Sequence, residues 1–199
     1  MEKLATRGRP REFCPDQALA AALRVFWIKG YEGASLTDLT EGMGITRPSL
    51  YAAFGNKEAL FRQALDLYER DKLAYMVEAM KEPTARAVAE YLLRGAIETA
   101  TGSETRGCMG VISSVACHAM EPSIRDDIGQ RAEKAKHLIV ERMREAIDNG
   151  EFFGPTDPEA ITRYLLAIMQ GISVQAQGGA NRAELTQVAD AALMGWPSK

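Results

Sequence analysis

Apolar residues recur every three or four positions along most of this chain, and short segments rich in glycine, proline or capping residues separate the runs. This is the spacing of amphipathic helices, which bury one face and leave the other in water. The pattern predicts an all-α protein of about nine helices. They divide into an N-terminal arm and three-helix head over residues 1–57 and a C-terminal helical body over residues 58–199.

Residues 35–57 contain two short helical patterns joined by a glycine-bearing turn. Ser35 can cap the first helix, and Asp38 three residues later can complete a variant of the capping box. Gly44 helps to end this helix, and Thr46 can cap the second. Such a turn lets the second helix leave at a steep angle, so that its exposed face can enter a DNA major groove. The stretch therefore predicts a helix-turn-helix, and the alternative is a helical hairpin within an ordinary bundle.

The exposed side of the second helix carries Arg47, Ser49 and Tyr51. Arginine can donate paired hydrogen bonds to a guanine edge, serine can meet a base or a phosphate, and tyrosine typically meets a phosphate. Leu50 and Phe54, four residues apart, form the buried side of the same helix. This arrangement is typical of a recognition helix.

Other residues of the head are expected to contact the DNA backbone. Lys57 follows Asn56 at the start of the next helix, where the helix dipole disfavours a cation, so a phosphate partner explains its placement. Residues 1–11 form a basic arm that can follow a phosphate strand or enter the minor groove, or else a solvated terminus. Tyr31 and Thr37 are phosphate candidates or local caps. The expected DNA contacts are Arg9, Tyr31, Thr37, Arg47, Pro48, Ser49, Tyr51 and Lys57.

The run G-I-T-R-P-S-L-Y-A-A-F-G-N-K-E-A-L, from Gly44 to Leu60, resembles the recognition-helix signature of TetR-family transcriptional regulators. The resemblance extends from about Arg9 to Phe61, and the rest of the chain is similar only in helical character and length. It implies a three-helix DNA-binding head, repression as the usual sense of regulation, and a four-helix bundle formed by the last two helices of two subunits.

The body has features that point to a dimer and to signal transmission. The patterns over residues 158–177 and 181–196 have more apolar and small-residue surface than one buried face needs, and a second subunit can cover the excess. Two heads related by a twofold axis would read a palindrome with half-sites roughly 34–36 Å apart. Residues 56–80 predict a single long helix that could convert a shift in the body into a tilt of the recognition helix.

Composition agrees with a soluble protein that holds DNA at one end. The 199 residues are 46% hydrophobic and 26% charged, with a net charge of −3. The first 57 residues have eight basic and six acidic side chains, whereas the remainder has sixteen and twenty-one. A basic head on an acidic body suits salt-dependent DNA binding. No secretory signal or membrane span is recognisable, so a cytoplasmic protein is expected.

Candidate chemistry is sparse. There are two histidines and three cysteines, and no phosphate loop, dinucleotide fingerprint or nucleophile elbow occurs in the sequence. Cys117 and His118 are adjacent and would point apart on a helix, with no neighbouring ligand set for a metal. We therefore expect no enzyme activity, no cofactor, no metal site and no disulfide framework.

Two sensing devices are possible. A small organic effector could bind among the middle helices, although each residue of the predicted lining could equally be ordinary core: Tyr91, Met109, Ile112, His118 and Met143. Alternatively, Cys108 lies near a helix start and two residues after Arg106, surroundings that favour a reactive cysteine, although it could also be buried and inert.

The sequence thus predicts a one-component regulator that binds a palindromic operator as a homodimer and is released by a small-molecule effector. A cysteine-based sensor of oxidants or electrophiles is the alternative within that class. A helical scaffold protein without DNA activity is the alternative from another class.

Overall fold

The computed structural model describes residues 13–102, 105–115 and 121–198, and in these ranges all regular elements are helices apart from one isolated bridge between Phe152 and Ser198. The all-α prediction is confirmed. The described ranges contain ten helices, one more than predicted. They are α1 Pro15–Gly33, α2 Leu36–Met43, α3 Arg47–Phe54, α4 Lys57–Lys72, α5 Ala74–Ala79, α6 Ala85–Ala100, α7 Met109–Val115, α8 Pro122–Asp148, α9 Pro158–Gln177 and α10 Arg182–Met194.

Local capping sets the ends of the two short helices in the head. The Asp38 backbone N–H donates to Ser35 Oγ at 3.1 Å, and the Ser35 backbone N–H donates to the Asp38 carboxylate at 2.9 Å. Gly44, with φ of 65°, ends α2 in the left-handed region that glycine adopts at little cost. Thr46 Oγ1 accepts from the backbone N–H of Ser49 at 3.3 Å and starts α3. The predicted helix-turn-helix is confirmed.

Aromatic side chains fill the core of the head. Phe61 packs edge-on against Phe26 and Tyr31, with ring centroids 5.0 Å apart in both pairs. Trp27 packs edge-on against Tyr68 at 4.8 Å. The core of the head therefore continues past residue 57 along α4, and it also takes in three buried side chains from the body, Met109, Ile124 and Ile128.

A second core lies in the body, where α6 packs against α9 and α10, and α8 packs against α9. Arg94 on α6 donates to the Asp190 carboxylate on α10 at 2.6 Å, and Arg86 donates to the Leu193 carbonyl at 2.6 Å. Six of the fully buried side chains of this core are Leu92, Ile139, Met143, Leu165, Ile172 and Leu185.

The prediction of one uninterrupted helix over residues 56–80 was wrong. The helix ends at Lys72, Leu73 has φ of −107° and ψ of 4°, and α5 starts at the next residue. The cause is tertiary packing, because the ring of Tyr75 on α5 lies where a side chain at Gly95 of α6 would be. Thr99 also donates a hydrogen bond to the Lys72 carbonyl at 3.3 Å, which gives a partner to a carbonyl near the end of α4.

Candidate nucleic-acid interface

Helix α3 presents one face to solvent and buries the other. Leu50 is fully buried and Phe54 is 5% exposed, so both anchor the helix in the head core. Arg47 and Pro48 are exposed, Tyr51 is 49% exposed, and Ser49 is half-buried. The structure thus brings the predicted contacts of α3 onto one short element, with no acidic residue in the helix itself.

Two side-chain hydrogen bonds orient the polar residues at the start of α3. Arg47 Nη2 donates to Thr37 Oγ1 of α2 at 2.9 Å, which links the two helices and leaves the other guanidinium donors available. The hydroxyls of Thr46 and Ser49 lie 2.9 Å apart. Thr37 therefore lies beside the recognition helix, where it positions Arg47.

Lys57 has a partner within the chain that the sequence analysis missed. Its Nζ lies 4.4 Å from the ring centroid of Tyr31, an arrangement that attracts a cation to the ring face. Burial lowers the pKa of Lys57, and the negative charge of Glu32 partly opposes this shift. Tyr31 itself is only 7% exposed, and burial followed by the charge of Glu58 raises the pKa of its hydroxyl. The Lys57 ammonium can still meet a phosphate, but Tyr31 has a packing role as well.

The N-terminus of α2 is fixed to α1 by a charged hydrogen bond. Lys29 Nζ donates to the Asp38 carboxylate at 2.5 Å, and the Ser35 hydroxyl donates to the same carboxylate at 2.7 Å. These contacts hold the pKa of Asp38 well below its usual value. The carboxylate that completes the capping box is therefore ionised at neutral pH.

A group of charged side chains connects α4 to α8. Arg131 on α8 lies 2.7 Å from Asp66 and 3.0 Å from Glu69 on α4, and 3.2 Å from Asp127 on its own helix. Burial alone would lower the pKa of Arg131, but the hydrogen bonds to Asp66 and Glu69 raise it. We call these four residues the α4–α8 clasp. Asp66 and Glu69 lie one turn apart on α4, and Asp127 and Arg131 lie one turn apart on α8. This spacing alone does not show that α4 and α8 pack against each other.

The predicted effector residues are not gathered in one cavity. Met109 is fully buried in the head core, whereas Met143 is fully buried in the body core. Ile112 is partly buried against the head core. Tyr91 lines a cleft of about 1060 Å³ between the head and the body. His118 lies outside the described residues, as does Arg9 of the predicted DNA contacts.

Cys108 lies at the junction of three helices. Its carbonyl accepts the first hydrogen bond of α7 from Ile112 at 2.9 Å, and its backbone N–H donates to Ser173 Oγ of α9 at 2.6 Å. Tyr68 of α4 donates its hydroxyl to the Cys108 sulfur at 3.0 Å. Burial and the neighbouring Cys108 raise the pKa of Tyr68, so this hydroxyl stays protonated and remains a donor.

Two features of the described ranges bear on other functions. No three histidine, cysteine, aspartate or glutamate side chains lie close enough together there to hold a metal ion. None of the helices in the same ranges has the length and apolar character that crossing a bilayer requires.

Two family models match the chain. Residues 18–64 match the model described as "Bacterial regulatory proteins, tetR family", and residues 83–192 match the model described as "Tetracyclin repressor-like, C-terminal domain". The first match covers α2 and α3, most of α1 and the first half of α4. The second covers most of the body.

Known proteins resemble the chain over nearly its whole length. The transcriptional repressor ComR of Escherichia coli K12 is 35% identical over 203 residues, which cover 96% of this chain and 93% of ComR. The repressor BdcR of the same organism is 31% identical over 173 residues, which cover 86% of this chain and 83% of BdcR. A solved structure of a cysteine-substituted form of the regulator CifR with 26-base-pair operator DNA is 40% identical, covers 96% of this chain and 100% of that one, and superposes with a TM-score of 0.88.

Proposed function

The chain belongs to the TetR family of bacterial regulatory proteins and is a DNA-binding transcriptional regulator, and on this basis we propose that it represses transcription as a homodimer on a palindromic operator. We propose further that a small organic effector releases it from DNA, and that it acts in the cytoplasm. The observation that carries the proposal is the exposed face of α3, where Arg47 and Tyr51 project from a capped helix beside Thr37.

Exposed apolar residues support the homodimer. The outer face of α9 carries Tyr164, 43% exposed, and Val174, 53% exposed, with Ala167 and Gly171 between them at helical spacing. On α10, Met194 is 81% exposed. Apolar and small residues along one face suit a close helix-to-helix interface with a second copy.

The first test distinguishes a regulator from a helical scaffold protein. A mobility-shift titration with DNA that flanks the protein's own coding region should give a specific complex that weakens steeply with salt. Selection from random DNA should enrich a palindrome with half-sites roughly one helical turn apart. A chain that shifts no DNA at low salt, and enriches no sequence, would be a scaffold.

Substitution of Arg47 and Lys57 should have different effects on DNA binding. Arg47→Ala should reduce discrimination at one base pair of each half-site by about 1–3 kcal/mol. Lys57→Ala should weaken specific and random DNA alike and make the salt dependence shallower by about one unit of slope per lost contact. Fluorescence anisotropy against the selected operator, its single-base variants and a random duplex measures both effects.

Arg70→Ala is the matched control for these variants. Arg70 is an exposed arginine on α4 that pairs with its neighbour Asp71 at 2.8 Å, away from α3. Its removal should leave base preference and affinity unchanged. Equal losses on operator and random DNA for Arg47→Ala would remove the base-contact role from Arg47.

Sensing of electrophiles through Cys108 is a second candidate function, and the hydrogen bond from Tyr68 to its sulfur favours it. The thiolate would add across the double bond of an electrophile, forming a carbon–sulfur bond while a proton from water goes to the adjacent carbon. The adduct would displace Tyr68, whose ring packs on Trp27 of α1. Modification of Cys108 would thereby alter the packing of Tyr68 against Trp27 in the DNA-binding head.

N-ethylmaleimide provides the test of this candidate. It should weaken operator binding by the intact protein and by Cys14→Ser, which removes another free cysteine, but not by Cys108→Ser. Mass spectrometry identifies the modified residue, and anisotropy gives the affinity. Full alkylation of Cys108 with unchanged affinity for the operator would end this hypothesis.

A further inference from the structure

A cleft of about 1060 Å³ lies between the DNA-binding head and the body. Leu23 and Trp27 of α1 line it on the head side, and Tyr91 and Arg94 of α6 line it on the body side, with Tyr75 of α5 between them. Its volume lies just above the usual range for small-molecule sites, which is about 300–1,000 Å³. The lining mixes aromatic and aliphatic side chains with a few polar groups, as such sites do.

Two donor nitrogens on cleft-lining side chains have no hydrogen-bond partner among the described residues. They are Nε1 of Trp27 and Nη1 of Arg94, and both atoms are buried. Trp27 as a whole is 4% exposed. Buried donors are almost always paired in folded proteins, so these two unpaired donors beside one cleft are where an acceptor from outside the chain, such as water or a ligand, would bind.

The charges of the cleft do not favour an anion as that acceptor. Arg94 is already neutralised, because its Nη2 lies 2.6 Å from Asp190 and 3.3 Å from Glu90. Carboxylates outnumber cations among the lining residues, which include Asp71, Glu82, Glu90 and Glu98 against Arg24, Lys72 and Arg94. An uncharged oxygen acceptor would pair with the donors without adding to this negative charge.

We propose that this cleft binds a neutral aromatic molecule with a carbonyl group. The ring system lies against Leu23, Tyr75 and Tyr91. Binding moves the side chain of Trp27 or Arg94 far enough for the carbonyl oxygen to accept from Nε1 or Nη1, both of which are covered in the unbound protein. Of the effector residues predicted from the sequence, the site includes Tyr91, whereas Met109 and Met143 lie in the two cores.

The regulatory consequence rests on the proposed function. A molecule in the cleft contacts α1 of the head and α6 of the body at once, so it changes the position that the head prefers relative to the body. Helix α1 packs directly against α2 and α4. Occupancy therefore weakens DNA binding, because both recognition helices of a dimer must keep one spacing to fit a palindrome.

Prodan, a neutral naphthyl ketone whose emission moves to shorter wavelength in apolar surroundings, tests the site without DNA. It should bind the full-length protein saturably, and acetylnaphthalene should displace it about tenfold better than ethylnaphthalene, which lacks the acceptor, or naphthoate, which is charged. Trp27→Phe should weaken acetylnaphthalene about tenfold and leave ethylnaphthalene unchanged. Thermal melting of each variant checks that it is folded.

A matched pair of variants locates the probe. Ala87→Phe places a ring in the cleft and should abolish Prodan binding, whereas Ala132→Phe places the same ring on the exposed surface of α8 and should not. Binding that is absent, or that survives Ala87→Phe, overturns the site. Equal displacement by all three naphthalenes overturns the ligand class.

The regulatory role is tested separately. Prodan added to the protein–operator complex should lower DNA affinity in the intact protein but not in Ala87→Phe. Occupancy of the cleft with unchanged DNA affinity would refute the regulatory role and leave the binding site standing. Because the first assay contains no DNA, it gives the same answer even if the chain proves not to be a repressor.

Discussion

Replacing Phe61 by alanine is expected to lower the free energy of unfolding by about 3–5 kcal/mol. Phe61 is fully buried, and its ring packs edge-on against Phe26 and Tyr31 at 5.0 Å. The deletion would remove the contact between α1 and α4 at its centre. The two rings that surround it are both buried on α1, so they cannot move far enough to fill the cavity.

Phe153→Ala is the matched control, because Phe153 is 72% exposed and its removal should change stability by no more than about 0.5 kcal/mol. Urea unfolding followed by circular dichroism gives both values. The Phe61 variant should also lose operator affinity, because α4 would no longer pack tightly against α1 in the DNA-binding head. A loss below about 1 kcal/mol would mean that this aromatic cluster does not stabilise the head.

The helix-turn-helix could be predicted from the sequence because its determinants are local. Ser35 and Asp38 cap α2 within four residues, and Thr46 caps α3 within four. The apolar spacing of Leu50 and Phe54 fixes which side of α3 is buried. Such signals lie within one or two helical turns, where capping and periodicity act.

The break between α4 and α5 could not be predicted, because its cause lies in another part of the chain. No glycine or proline occurs between Lys72 and Ala79, and the helix is interrupted by the packing of Tyr75 against Gly95. The contact between Lys57 and Tyr31 also joins separate elements. A single sequence shows that each of these residues is present, but it does not show which of them are in contact.

The same limit applies to the sensing residues. Tyr68 and Cys108 are 40 residues apart, and Asp66 and Arg131 are 65 residues apart, yet each pair is in hydrogen-bond contact. The proposed sensing roles of Tyr91 and Cys108 stay predictions, but the sequence analysis placed Met109 and Met143 in one pocket although they lie in different cores. Apolar periodicity predicts burial, and it does not distinguish one core from another.

These long-range contacts converge on α4. It contributes Phe61 and Tyr68 to the core of the head, and it contributes Asp66 and Glu69 to the α4–α8 clasp. Helix α4 is thus packed with the head and is ionically bound to the body. A shift of α8 would therefore be passed to the head through the α4–α8 clasp even though α4 ends at Lys72. The predicted role of this region in transmission does not require one continuous helix.

Replacing Val174 by glutamate is expected to weaken the proposed dimer by at least a hundredfold, and operator binding with it. Val174 is 53% exposed on the outer face of α9, one turn after the small residue Gly171, which suits close helix packing. In a twofold interface each substitution occurs twice, and a buried carboxylate without a partner costs roughly 3–5 kcal/mol. A single head reads only half of the palindrome, so monomers would bind the operator far more weakly.

Val77→Glu is a closely matched control, because Val77 on α5 is 56% exposed and lies outside α9 and α10. Sedimentation velocity measures the assembly state, and anisotropy measures operator affinity on the same samples. We expect the Val174 variant to sediment as a monomer with intact helical content, and the Val77 variant to remain a dimer. If instead the Val77 variant dissociates and the Val174 variant does not, then subunits pair through α5, and α9 with its apolar face must have another partner.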